Sequence, residues 1–151
     1  FYLYLQQTII QYTMSEKIPV GERFEHDFSF SQADVIAFAN LTGDHNPIHL
    51  DAEYAATTKF KVPIIHGHLS SSVFTRFLGM GKPGGPGSIY MKQETEYLRP
   101  MHVDTPYKVV FEVVSVDPVR HIAHIATQVI NKETNKMTIR GTGTLMNEEH
   151  Y

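Results

Sequence analysis

Between Leu41 and Leu69 the chain reads LTGDHNPIHLDAEYAATTKFKVPIIHGHL, which places an acid, an amide and four histidines between apolar segments. Asp44 and His49 lie five positions apart with Asn46-Pro47 between them. Pro47 pushes Asn46 away from the α region, so this stretch is expected to be a shaped loop rather than regular helix. A carboxylate and an imidazole that converge on one point hold a water and move protons at neutral pH, and Asn46 offers a fixed amide donor between them. The same residues also have an ordinary use, with Asp44 capping a turn and His49 packed as a core histidine, and spacing alone does not separate the two. His45, His49, His66 and His68 invite a metal reading, but no cysteine and no H-E-x-x-H pattern accompanies them. No metal is therefore expected.

What surrounds these residues limits the chemistry further. The chain has 151 residues, 42% of them hydrophobic, which suffices for one domain with a core that needs no disulfide or metal. It has no cysteine, so a thiol nucleophile is excluded. A net charge of -3 with scattered basic residues argues against nucleic acid as a partner and for a small molecule. The opening FYLYLQQTIIQYT is interrupted by polar residues, too short to span a bilayer, and lacks the charged start of a secretory leader. Residues 1–13 are read as an N-terminal appendage, with Met14 as an alternative start, and no membrane association is expected.

The elements that must position the site follow from periodicity. Phe24, His26, Phe28 and Phe30 alternate as in a half-buried strand. Ser31 and Asp34 form an S-x-x-D capping box ahead of Val35, Ile36, Phe38, Ala39 and Leu41 at helical spacing, and Thr42-Gly43 ends that run. Asp51 caps a second short helix in DAEYAATT. After His66-Gly67 a stronger helical pattern of Leu69, Val73, Phe74, Phe77 and Leu78 predicts the buried helix. GMGKPGGPG, from Gly79 to Gly87, reads as a loop and lacks the Gly-Lys-Ser/Thr ending of a phosphate cradle. Beyond it the period changes to two, with strands expected at 88–98, 105–117, 121–131 and 136–146, the last three as an antiparallel meander. The fold class is α+β, a single domain in which about five antiparallel strands cover one apolar helix.

LTGDHNPIHLDAEYA resembles the hydratase 2 motif of the MaoC-like (R)-specific enoyl-CoA hydratases, in which D-x-N-P-aliphatic-H is the core. The similarity continues through ATTKFKVPIIHGHL and GSIYMKQETEYLRP. It implies a hot dog fold over 14–151, a long helix wrapped by an antiparallel sheet and paired into a homodimer. It also implies that Asp44 and His49 are the catalytic pair and that the Gly67 NH binds the thioester oxygen, with Asn46 and His66 beside them contacting substrate. Members of this family often carry serine eight residues after that glycine, where this chain has Thr75, so a narrower acyl pocket is expected there. Phe74 and Leu78 are its expected neighbours by helix spacing, and Tyr90 either lines the site or fills a strand position. The implied reaction is addition of water to a trans-2-enoyl-CoA in fatty acid metabolism. The alternatives are a 3-hydroxyacyl-[acyl-carrier-protein] dehydratase, a hot dog thioesterase and a non-catalytic thioester-binding protein. No cofactor is implied, because coenzyme A or phosphopantetheine belongs to the substrate. An acidic acyl carrier protein would need basic surface, for which Lys59, Lys61, Lys82, Lys92 and Arg99 are the candidates. An intracellular address, cytoplasmic or mitochondrial, is expected.

Overall fold

The computed structural model describes residues 17–151, so the reading of residues 1–13 as an appendage lies outside the described residues. Strand β1 (Arg23–Phe28) half-buries Phe24, His26 and Phe28 on alternate positions, as its sequence demands. Helix α1 (Gln32–Thr42) begins at Ser31 with both halves of the capping box present. It ends at Gly43, whose φ of 80° suits glycine. Its apolar stripe is thinner than expected, since Val35 and Ala39 are buried but Leu41 is 85% exposed.

The segment expected to be a loop around Pro47 is instead a helical turn, α2 (Pro47–Leu50). Asn46 is non-helical, with φ −55° and ψ 125°, as the following proline requires. Proline at the first helical position, however, lacks only an NH that would be unbonded there anyway, so Pro47 starts a turn rather than preventing one. Asp51 then caps α3 (Ala52–Thr57) by accepting from the Glu53 and Tyr54 amides.

The apolar segment after His66 runs as α4 (Gly67–Ser71), α5 (Val73–Thr75) and a π-helical turn, Arg76–Met80. The wider turn carries the helix past Gly79, where a loop was expected. Gly81 NH bonds Arg76 carbonyl at 2.9 Å, and the loop starts only there. Leu69, Val73, Phe74, Phe77 and Leu78 are all buried.

Strands β2 (Ile89–Tyr97), β3 (Tyr107–Asp117), β4 (Ile122–Asn131) and β5 (Lys136–Met146) join β1 in one antiparallel sheet of order β1-β3-β4-β5-β2. Three irregularities let each strand keep an apolar face on the helix while the sheet bends. Val114 has no partner between the Val113 and Ser115 pairs, so the inward set passes from Val109, Phe111 and Val113 to Val116. Met91 does the same in β2 and Thr138 in β5. Val109, Phe111, Ile125, Val129, Ile139 and Leu145 share one core with the helix residues. The sheet therefore wraps the apolar helix, which is the hot dog arrangement.

Candidate active site

Asp44 follows the Gly43 cap, and its own carboxylate accepts from Asn46 NH at 3.2 Å. Asn46 in turn accepts from Ile48 NH at 3.2 Å through its side-chain oxygen, capping α2. These two Asx turns lift His49 toward the start of α4. His49 Nδ1 lies 2.7 Å from Ile64 carbonyl. A carbonyl can only accept, so Nδ1 carries the hydrogen and neutral His49 presents a bare Nε2. That Nε2 is 3.9 Å from Asp44 Oδ2, too far for a direct hydrogen bond but close enough for both to reach one water.

His66 lies beneath this pair, 2% exposed. Its Nε2–H donates to Asp44 carbonyl at 3.0 Å, and its ring centroid is 3.8 Å from that of His49, the planes inclined by 32°. Phe38 of α1 covers it at 5.0 Å. His66 Nδ1 has no hydrogen-bond partner among the described residues, a burial that costs about 1–3 kcal/mol. The other two histidines of the stretch point elsewhere. His45 reaches Asn40 Oδ1 at 3.1 Å, and exposed His68 stands edge-on to Tyr97 at 6.5 Å.

Asp44, His49 and His66 are the group among the described residues that comes nearest to a metal cage, with one potential ligand atom each within 4.8 Å. Its donor set fits a cation poorly. A backbone carbonyl on one nitrogen of each ring leaves His49 Nε2 and His66 Nδ1 free, as in a ligating pair. His66 Nδ1 is closed to solvent, however, and the group offers only three donors, one of them an exposed carboxylate.

A cleft of about 350 Å³ opens beside His49 and Gly67. Ile65, Met101 and Ile139 form its apolar inner wall, Tyr97 and Ser70 one side, and Lys59 and Arg99 carry its positive charge. A Cβ on Gly67 would stand 3.3 Å from the Tyr97 ring, so a bare backbone brings the start of α4 close to that strand. The first NH groups of α4 point where no earlier helical turn can accept from them. Arg99 is braced by Met137 carbonyl at 2.6 Å, and Lys59 lies over the Phe60 ring at 5.1 Å. Neither has a carboxylate partner among the described residues, and no acid lines the cleft.

The structure thus brings together Asp44, Asn46, His49, His66 and Gly67, and it does not bring the four remaining candidates to this cleft. Phe74 and Leu78 are buried in the core, Phe74 edge-on to Phe111 at 6.1 Å. Thr75 is exposed, and Tyr90 fills a strand position where its hydroxyl donates to Gln93 Oε1. Burial pushes the Tyr90 hydroxyl up to about 12, so it stays protonated. Of the five cations, Lys59 and Arg99 line the cleft, whereas Lys92 pairs with Glu94 at 2.7 Å. Tyr97, Met101 and Ile139 were missed in the sequence. They come from strand positions and a connection, and alternation marks only Ile139 as inward-facing, since Tyr97 is half exposed and Met101 lies outside the strands.

The MaoC like domain matches residues 14–135. An (R)-specific enoyl-CoA hydratase of Aeromonas caviae is 36% identical over 118 residues, covering 78% of this chain and 87% of that protein. A mitochondrial 3-hydroxyacyl-[acyl-carrier-protein] dehydratase of Solanum lycopersicum is 28% identical over 134 residues, covering 87% and 79%. The unliganded R-hydratase of Pseudomonas aeruginosa superposes with a TM-score of 0.82 at 36% identity, covering 91% of this chain and 87% of that one. By motif, fold and site together, the chain belongs to the MaoC-like domain family.

Proposed function

We propose that this protein is an (R)-specific enoyl-CoA hydratase, adding water across a trans-2-enoyl-CoA to give the (R)-3-hydroxyacyl-CoA, or running the reverse dehydration. The observation that carries the reading is the bare His49 Nε2 facing Asp44 Oδ2 at 3.9 Å beside Gly67, at the edge of a cleft with an apolar wall. Hydration needs a water whose proton is taken as its oxygen bonds C3, a proton delivered to C2, and stabilisation of an enolate oxygen between those events. Asp44 and His49 both accept hydrogen bonds from one water, take one of its protons and return one to C2. Each such role contributes about 10²- to 10⁴-fold. Gly67 NH, at the start of a helix, donates to the thioester oxygen as negative charge grows there. Asn46 orients the loop between the pair, and no cofactor takes part.

Lys59 and Arg99 support a carrier that bears phosphate, since two unpaired cations beside the reacting groups attract an anionic arm. Coenzyme A has several phosphates and the pantetheine of an acyl carrier protein has one. The tomato relative favours the second reading, an acyl-carrier-protein dehydratase. A second copy of the chain is expected to pair along edge strand β2, which exposes Ile89, Met91 and Tyr97 at 53%, 53% and 45%. Among the described residues no helix is long and apolar enough to cross a membrane.

The test follows loss of the enoyl thioester and release of free thiol in the same cuvette, using trans-2-butenoyl-CoA and its acyl-carrier-protein counterpart. Enoyl loss without thiol release supports the hydratase, thiol release indicates a thioesterase, and binding with neither indicates a non-catalytic protein. A faster rate on the carrier protein moves the assignment to the dehydratase.

A further inference from the structure

We infer that His66 is the positioning residue of this site, its buried side chain setting the Asp44 backbone and the His49 ring relative to each other beside Gly67. The inference rests on the catalytic roles proposed above for those three residues. His66 is nearly closed to solvent and is not part of the cleft wall, so a substrate cannot reach it as it reaches His49. Its contacts run instead to the groups that do the chemistry. The Nε2–H holds Asp44 carbonyl at 3.0 Å, which fixes the residue whose carboxylate meets the water. The ring face supports His49 at 3.8 Å, while Ile64 carbonyl holds the His49 Nδ1. His66 is also the N-cap of α4, its backbone carbonyl accepting from Ser70 NH at 2.9 Å and Ser70 Oγ at 3.0 Å as any residue's would, so its ring reaches Asp44 and His49 from the position next to Gly67.

The unpartnered Nδ1 distinguishes this role from ordinary packing. A residue there for packing alone would serve better as an apolar ring, which fills the same space without burying a lone pair. A histidine is needed only if the opposite nitrogen must donate while the face still supports His49.

Two variants separate the parts. His66→Phe keeps the face and loses the donor, while His66→Gln keeps an amide donor and loses the face. Each is expected to lower kcat for trans-2-butenoyl-CoA hydration about tenfold to a hundredfold, as for small misplacements of reacting groups, with KM changed by less than about threefold. His66→Phe removes the buried lone pair and the bond to Asp44 carbonyl together, two opposing effects of similar size, so its unfolding temperature should stay close to that of the wild type. A histidine NMR titration, which needs no turnover, should show a displaced His49 midpoint in both variants. His49 is faced there by Asp44 and His66, and Lys59 shares the cleft. A folded His66→Phe protein with wild-type kcat and an unmoved His49 midpoint would overturn the inference, as would activity that falls only in step with stability in both variants. Wild-type protein that hydrates nothing would refute the proposed function, and the titration would still decide the role of His66.

Discussion

Replacing Asp44 with asparagine removes a charge but keeps an oxygen to accept from Asn46 NH, and the side chain is 52% exposed, so the turn survives. Replacing His49 with glutamine removes the titrating ring and keeps an amide that can donate to Ile64 carbonyl. The two wild-type groups face each other across 3.9 Å. A single water about 2.8 Å from each fits between them. Each exchange therefore disables the same water and should lower the hydration rate by about 10²- to 10⁴-fold, roughly 2.7–5.4 kcal/mol of barrier at 1.36 kcal/mol per decade. Independent groups would multiply, and the double variant would fall by about 10⁴- to 10⁸-fold. Groups that share one water leave the double variant within about tenfold of the worse single variant. Initial rates of butenoyl-CoA hydration for the three variants, beside their thermal unfolding, give the answer. Multiplying losses would refute the shared water, and near-wild-type rates in folded single variants would refute the pair altogether.

Lys59→Gln and Arg99→Gln should each raise KM for butenoyl-CoA about tenfold with kcat held, and leave KM unchanged for the N-acetylcysteamine thioester, which has no phosphate; equal effects on both substrates would contradict a carrier contact. Met101→Ala should open the inner wall of the cleft and extend turnover to longer acyl chains, at a cost of about 2–5 kcal/mol in denaturant unfolding. Thr75→Ala, exposed and away from that wall, should leave the chain-length profile as it was; the reverse pattern would move the acyl pocket to α5. Burial lowers the His150 pKa below its usual 6.5. The unfolded chain then binds more protons than the folded one between 6.5 and that lower value, so stability should fall as pH drops through this window. His150→Gln should flatten the dependence, and an unchanged pH profile of the unfolding midpoint would contradict it.

Spacing alone left Asp44 and His49 open between catalytic and structural use, and it was the motif resemblance that implied the pair and Gly67; what the sequence displayed by itself was the local devices that place them. The Gly43 cap, the Asn46-Pro47 step and the His66-Gly67 entry to an apolar helix all act within a few residues. The error at Pro47 came from reading proline as a breaker when it stood at a helix start. The strands were legible from their period, but the bulges at Met91, Val114 and Thr138 were not, because an extra residue has no composition of its own. Phe74, Leu78 and Tyr90 show the limit of periodicity. It marks an inward face, and both a packed core and a substrate pocket present the same face. The cleft wall depends on which strand ends meet, and Tyr97 and Ile139 are paired across β2 and β5 from distant parts of the chain.

The most direct test of the account is the stereochemistry of the product. Purified protein given trans-2-butenoyl-CoA, with and without a chelator, should yield (R)-3-hydroxybutyryl-CoA at the same rate in both if Asp44 and His49, 3.9 Å apart, hold the water without a metal. Exclusive formation of the (S) product, or a rate lost on chelation and restored by zinc at Asp44, His49 and His66, would contradict it.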